Sequence, residues 1–372
     1  MIILARRAVL AGFATAALLT AVPALGKPAT VAPTMPPVQM VDTNGIELAV
    51  YEAGSGPAVV LLHGFPGLAY TWRHQIPALV QAGYRVIVPD LRGYGLSDTP
   101  ERVEDYYIAD LTGDVAGILD SLDVEKAVFV GHDWGGMLAW QMALLHKDRT
   151  AGVVSFNTPH IPHWGLWLHH DLVAPVLPEG AEFTLDPERD PIAQMRDVYS
   201  PDMYVLMFQD GDAADVAMND DPRGTLRAAL RKDLGGPEVW SQMPVELKNM
   251  EYYGQPVPAE FPGQDVLSAE ELDFYVSQYK RTGFTPAINW YRNITRNWEA
   301  GRDLDQTIRV PSLMISAEND AVLRSSMTDG MDAYVPDLEK EVIADAWHWA
   351  PEEKPEEANR IVLDWLEKRF PH

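Results

Sequence analysis

Short apolar runs that each stop at a turn constrain this chain most. They are "AVVLLHG" (58–64), "RVIVPDLRGYG" (85–95), "KAVFVGHDWGG" (126–136) and "GVVSFNTP" (152–159). A run with no polar alternation fits a strand buried on both faces. Between the runs lie "TWRHQIPALVQAG", "IADLTGDVAGILDSLD" and "GGMLAWQMALLH", whose apolar residues recur at helical spacing. Strands alternating with helices predict an α/β fold built on a mainly parallel sheet with right-handed crossovers. "IELAVYEAG" precedes this series in period two.

The rhythm divides the chain. Residues 40–159 form the first part of the core. From 160 to 285 the strands lapse into Trp-, Tyr-, Met- and acid-rich segments with helical periods, clearest in "MYVLMFQDGDAADVAM" and "SAEELDFYVSQYKRTG". Strands resume in "VPSLMISAEND" (310–320) and "KEVIADAWHW" (340–349), and "EEANRIVLDWLEKRF" closes the chain as an amphipathic helix. Residues 286–372 therefore complete the core, and 160–285 read as an inserted helical lid. There is no internal repeat.

Residues 1–26 have Arg6 and Arg7, an uncharged apolar run, then small residues at Ala24 and Gly26. That is the layout of a secretory signal peptide, so we expect a periplasmic or secreted protein. The arginine pair fits the twin-arginine route. Residues 27–39 are a Pro-rich tether. The chain carries 54 acidic and 29 basic residues, a net charge of −25, which argues against nucleic acid and anionic membrane surfaces as partners. It has no cysteine, which excludes disulfides, a thiol nucleophile and a thiolate metal site.

Ligands of open parallel sheets bind beyond the carboxyl ends of the strands. "HGFPG" (63–67), Asp133, Asp320 and His348 all fall there. A nucleophile candidate, an acid and a histidine in that chain order match the α/β-hydrolase triad, with G-x-D-x-G in place of G-x-S-x-G.

"HGFPG", "DLRGYGLSD", "GHDWGG", "NTPHIP", "MYVLMFQ", "NWYRNITRNW", "AEND" and "WHW" occur here in order. On these motifs the chain resembles the epoxide hydrolases of the α/β-hydrolase fold, soluble type, over nearly everything after residue 40 apart from parts of the lid. The resemblance implies a small apolar epoxide and water as substrates, with neither cofactor nor metal. An epoxide has no carbonyl for a serine to attack. A carboxylate is already ionised at neutral pH and can displace the ring oxygen, leaving an alkyl ester on Asp133. Water activated by His348 would hydrolyse that ester, with Asp320 orienting the imidazole. Backbone N–H groups of Phe65 and Trp134 would hold the oxyanion. Similar enzymes hang two tyrosines from the lid to protonate the leaving oxygen, and the motifs put these at Tyr204 and Tyr291. Tyr199, Tyr252, Tyr253, Tyr275 and Tyr279 read as packing or pocket residues. One departure is Trp347, where relatives carry glycine before the histidine; its bulk is expected to shift the loop or narrow the pocket.

Haloalkane dehalogenase is the nearest rival, since Trp134 could hold a halide, but Phe65 stands where many dehalogenases carry asparagine. A fluoroacetate-type enzyme would need an arginine pair after "DLRGYG", where only Arg102 is found. A non-catalytic binding module would leave the complete set of reactive groups without a purpose. His160, His163, His169 and His170 cluster in sequence without a carboxylate pattern to complete a metal site. His63 and His132 are expected to make structural hydrogen bonds. The sequon "NIT" (293–295) lies inside a helical motif and is taken as incidental.

Overall fold

The computed structural model describes residues 35–235 and 263–371. The expected signal peptide and Tyr252 and Tyr253 lie outside these residues. Eight strands form one sheet: β1 Val38–Thr43, β2 Ile46–Ala53, β3 Ala58–Leu62, β4 Arg85–Pro89, β5 Ala127–His132, β6 Thr150–Phe156, β7 Ser312–Ala317 and β8 Leu338–Ile343. Their order across the sheet is β1-β2-β4-β3-β5-β6-β7-β8. Strands β4 to β8 and β3 run parallel, while β1 and β2 pair antiparallel at one edge.

Every residue of β3, β5 and β7 is buried, which explains why these strands read as mainly apolar runs without polar alternation. β8 is an edge strand. Its Glu339, Lys340 and Glu341 keep the open edge charged, which discourages pairing with other chains. The helices Ile108–Ser121 and Trp134–Leu145 lie where the spacing predicted them. β1 begins at Val38, so the extended stretch expected to end at 39 joins the sheet at its last two residues.

Between β6 and β7 the described residues hold helices joined by loops and one two-residue ribbon, Arg231–Lys232 with Gln264–Asp265. "MYVLMFQDGDAADVAM" forms two helices, Tyr204–Gln209 and Ala213–Asp220, because Asp210-Gly211-Asp212 breaks the run. Ser268 caps the helix Ala269–Thr282 through a reciprocal box with Glu271. The boundary expected at 285 falls at the junction of the helices Ala269–Thr282 and Thr285–Arg292. Thr285 opens a helix to Arg292, another runs from Ile294 to Gly301, and the sheet resumes only at Ser312. No described helix is long and apolar enough to cross a membrane.

Candidate active site

The parallel strands β3, β5, β6, β7 and β8 all end at the same edge. Register pairs Leu62 with Gly131, His132 with Phe156, and Phe156 with Ile315. The residues just past these pairs, Phe65, Asp133, Asn157 and Asp320, therefore meet although far apart in sequence.

Asp133 sits at the tip of the turn from β5 into the helix Trp134–Leu145, with φ 54° and ψ −123°. Such a conformation costs a non-glycine residue about 1–3 kcal/mol and persists only where the surroundings enforce it. Tight packing does so here. A Cβ on Gly131 would collide with the Gly135 carbonyl, and one on Gly64 would strike the Asp133 side chain itself. The Thr158 hydroxyl donates to the Asp133 carbonyl at 2.8 Å.

The Asp133 carboxylate accepts the Phe65 N–H at 2.7 Å, and the Trp134 N–H acts on the same group. The two backbone donors expected to form an oxyanion site thus converge on one point. Burial raises the carboxyl's pKa, opposed by His348 and these two N–H groups.

His348 follows β8 on a loop that reaches back over β7 and β6. Its Nδ1 lies 2.9 Å from Asp320 Oδ2, and its Nε2 lies 3.8 Å from Asp133 Oδ2. Asp320 also accepts from the N–H groups of Val322 and Leu323 and from Asn157 Nδ2 at 2.6 Å. Burial works against charge at Asp320, but His348 and these donors outweigh it and hold the carboxyl at about 2. Burial likewise opposes the imidazolium, yet Asp320, Asp133 and Glu353 lift His348 to about 9.

Tyr204 and Tyr291 come together from two separate helices, with ring centroids 5.6 Å apart. The ring of Tyr291 meets Trp134 edge-on at 4.9 Å and Phe65 at 5.6 Å, so it stands over the turn that carries Asp133. The Trp167 indole N–H donates to the Tyr204 hydroxyl at 2.9 Å. A hydroxyl that accepts one hydrogen bond is polarised toward donating another. Phe208 and Trp167 complete the aromatic wall around Tyr291.

Other residues fall elsewhere. Tyr199 donates to the Trp167 carbonyl, Tyr275 bonds Thr71, and Tyr279 stacks on Phe284. His63 accepts the Leu91 N–H, and His132 Nε2 donates to the His348 carbonyl at 2.6 Å. Burial drives both rings toward neutrality, to about 4 and about 3. His160 bonds the Gln306 carbonyl, while His170 is exposed. Among the described residues no three His, Asp or Glu side chains form a group that could hold a metal ion. Asn293 is buried and donates to Val103 and Asn289, which leaves the sequon amide occupied. The bulk of Trp347 does not displace the histidine from Asp320, because its indole turns to the Gly235 carbonyl at 3.0 Å.

Sequence reasoning missed Asn157, Thr158 and Glu353. Asn157 had a readable signal: a polar residue in "NTP" at the carboxyl end of a buried strand, where it takes φ 63°.

The alpha/beta hydrolase fold family matches residues 57–178. Epoxide hydrolase A of Mycobacterium tuberculosis is 40% identical over 349 residues, which cover 89% of this chain and 97% of that protein. The chain belongs to the epoxide hydrolases. The crystal structure of epoxide hydrolase A from Mycobacterium thermoresistibile matches with a TM-score of 0.74 at 37% identity, covering 89% of this chain and 98% of that one. Epoxide hydrolase VrEH1 of Vigna radiata superposes with a TM-score of 0.75 at 30% identity, over 91% and 100% of the two chains. Bifunctional epoxide hydrolase 2 of Sus scrofa is 36% identical, and the chain spans only 54% of its length. As an epoxide hydrolase, this chain adds water to epoxides, and the dehalogenase alternative is not favoured.

Proposed function

We propose that Asp133 opens the epoxide by in-line attack of a carboxylate oxygen on a ring carbon. The C–O bond breaks, and the departing oxygen takes a proton from the paired phenols of Tyr204 and Tyr291. His348 returns its proton to the phenolate left behind; its neutral Nε2 then removes a proton from water, and the resulting hydroxide adds to Cγ of the Asp133 ester. The N–H groups of Phe65 and Trp134 take up the oxyanion; its collapse expels the diol oxygen, which takes the proton of the new carboxyl group, so the diol leaves and Asp133 is again a carboxylate beside a protonated His348. Electrostatics times the two steps. The Asp133 charge helps keep His348 protonated; esterification removes that charge, so the imidazole gives up its proton more readily once a base is needed.

The observation that carries this reading is the convergence on Asp133 of one imidazole and two backbone donors beneath two phenols. The aromatic wall fits an apolar alkyl or aryl epoxide. The leader-like residues 1–26 support export of a bacterial protein to the periplasm or beyond, and the acidic surface speaks against stable membrane association. The test is His348→Gln mixed with styrene oxide. Intact-protein mass spectrometry should show the added mass of one epoxide, mapping to Asp133. An unmodified protein, or an adduct on another residue, would overturn the assignment.

A further inference from the structure

The peptide groups around His348 are held from three sides. Glu353 Oε2 accepts the Trp347 N–H at 3.0 Å, and its Oε1 accepts the Trp349 N–H at 2.8 Å. One carboxylate thus clamps the residues on both sides of the histidine. The His348 carbonyl between them is fixed by His132. The indoles of the two clamped tryptophans extend the arrangement to the helical insertion: Trp349 Nε1 donates to Ala229 and Trp347 Nε1 to Gly235. Glu353 closes the ring at its own end, because its N–H donates to the Trp349 carbonyl at 2.9 Å.

The neighbouring acid has a different duty. Glu352 points to Arg73 at 2.6 Å, and Arg73 in turn reaches Glu271 on the helix Ala269–Thr282. The Glu352 side chain therefore ties the core to the insertion and accepts neither N–H beside the histidine. An acid that received only one N–H would serve as an ordinary helix-end partner. Two charge-assisted bonds that straddle a single residue fix that residue's direction as well as its place.

We propose that Glu353 is a positioning residue for His348, acting on hydrolysis of the Asp133 ester and not on its formation. The proposal rests on the covalent reading above. Ring opening needs Asp133 and the phenols, which Glu353 does not touch. Ester hydrolysis needs Nε2 to meet a water and the ester carbon at once, so it is the step that a loosened loop would harm. Burial pushes the Glu353 carboxyl up to about 7, opposed by its two N–H donors and His348, which favour the charged form that accepts both bonds.

The test is Glu353→Gln beside Glu352→Gln and the parent protein, followed by rapid quench and intact-mass detection with styrene oxide. Glutamine keeps the size but offers an N–H₂ where one donor needs an acceptor. In Glu353→Gln, hydrolysis should slow by about 10- to 100-fold, the penalty typical of a misplaced reacting group. Ester formation should stay within about twofold of the parent rate, so kcat and KM fall together and kcat/KM holds. Glu352→Gln should lower the unfolding midpoint without raising the ester fraction. Unchanged hydrolysis in Glu353→Gln, or equal slowing of both steps, would overturn the positioning role. Should Glu353→Gln fail to fold, Glu353→Asp gives the same readout, because its shorter arm cannot reach both N–H groups. Failure of the parent and of His348→Gln to form any ester would instead strike the covalent reading itself.

Discussion

On the proposed route Asp133 needs no base to act as a nucleophile, since a carboxylate's ionised form is the ordinary one at neutral pH. Burial works against that ionisation, and His348 restores it. Replacing Asp133 with Asn keeps the shape and removes the charge. Steady-state turnover should fall by at least about 10⁴-fold with the fold intact by circular dichroism. Tyr291→Phe should slow ring opening by about 10²-fold or more while leaving ester hydrolysis nearly unchanged, as single-turnover kinetics would show. Asp320→Asn removes the main support of the imidazolium, so an NMR titration should find His348 well below about 9. The sign for stability follows. Asp320 is held below its ordinary 3.8, so its contribution is present above that value and lost as pH falls toward about 2. His348 is held above its ordinary 6.5, so its contribution is full below 6.5 and lost as pH rises through about 9. In urea unfolding, the gap between the parent and Asp320→Asn should be widest from about pH 4 to 6.5 and close toward 9.

At the scale of elements, parallel strands bring the site together and helices between β6 and β7 cover it. Gly131 and Gly64 permit the close approach; Gly64→Ala should push the Asp133 side chain aside and cost activity out of proportion to its effect on unfolding. The insertion is tied down by Arg73, buried between Glu352 and Glu271. Glu352→Gln leaves that guanidinium short of one partner and should lower unfolding free energy by about 3 kcal/mol, measured in urea. The strands were legible because β3, β5 and β7 are buried on both faces and carry no charged residue of Asp, Glu, Lys or Arg type. β1 was not, because Val38 and Gln39 directly follow prolines and the strand gains its structure only by pairing with β2. The helix Thr285–Arg292, at the expected end of the insertion, packs against the core segment Val103–Tyr106 and carries apolar residues much like core ones. Asp133, Asp320 and His348 could be read because each ends a strand. Glu353 could not, since its two bonds go to backbone N–H groups, which leave no pattern in side chains.

On the scale of the whole molecule, a chain of net charge −25 with an apolar aromatic wall at one sheet edge separates solubility from substrate recognition. The acidic field does nothing to draw in an uncharged epoxide, so kcat/KM should vary little between 10 mM and 500 mM salt (added concentrations, about 30 Å to 4 Å of screening length). A strong salt dependence would point to a charged substrate. On the proposed covalent route an oxygen atom moves from protein to product. The most direct measurement is a single turnover in water enriched in heavy oxygen, with enzyme in excess over epoxide. The diol released should contain no heavy oxygen, and the label should be found in the Asp133 carboxylate. Heavy oxygen in the diol from that first turnover would mean that water attacks the epoxide directly, and the covalent account would be wrong.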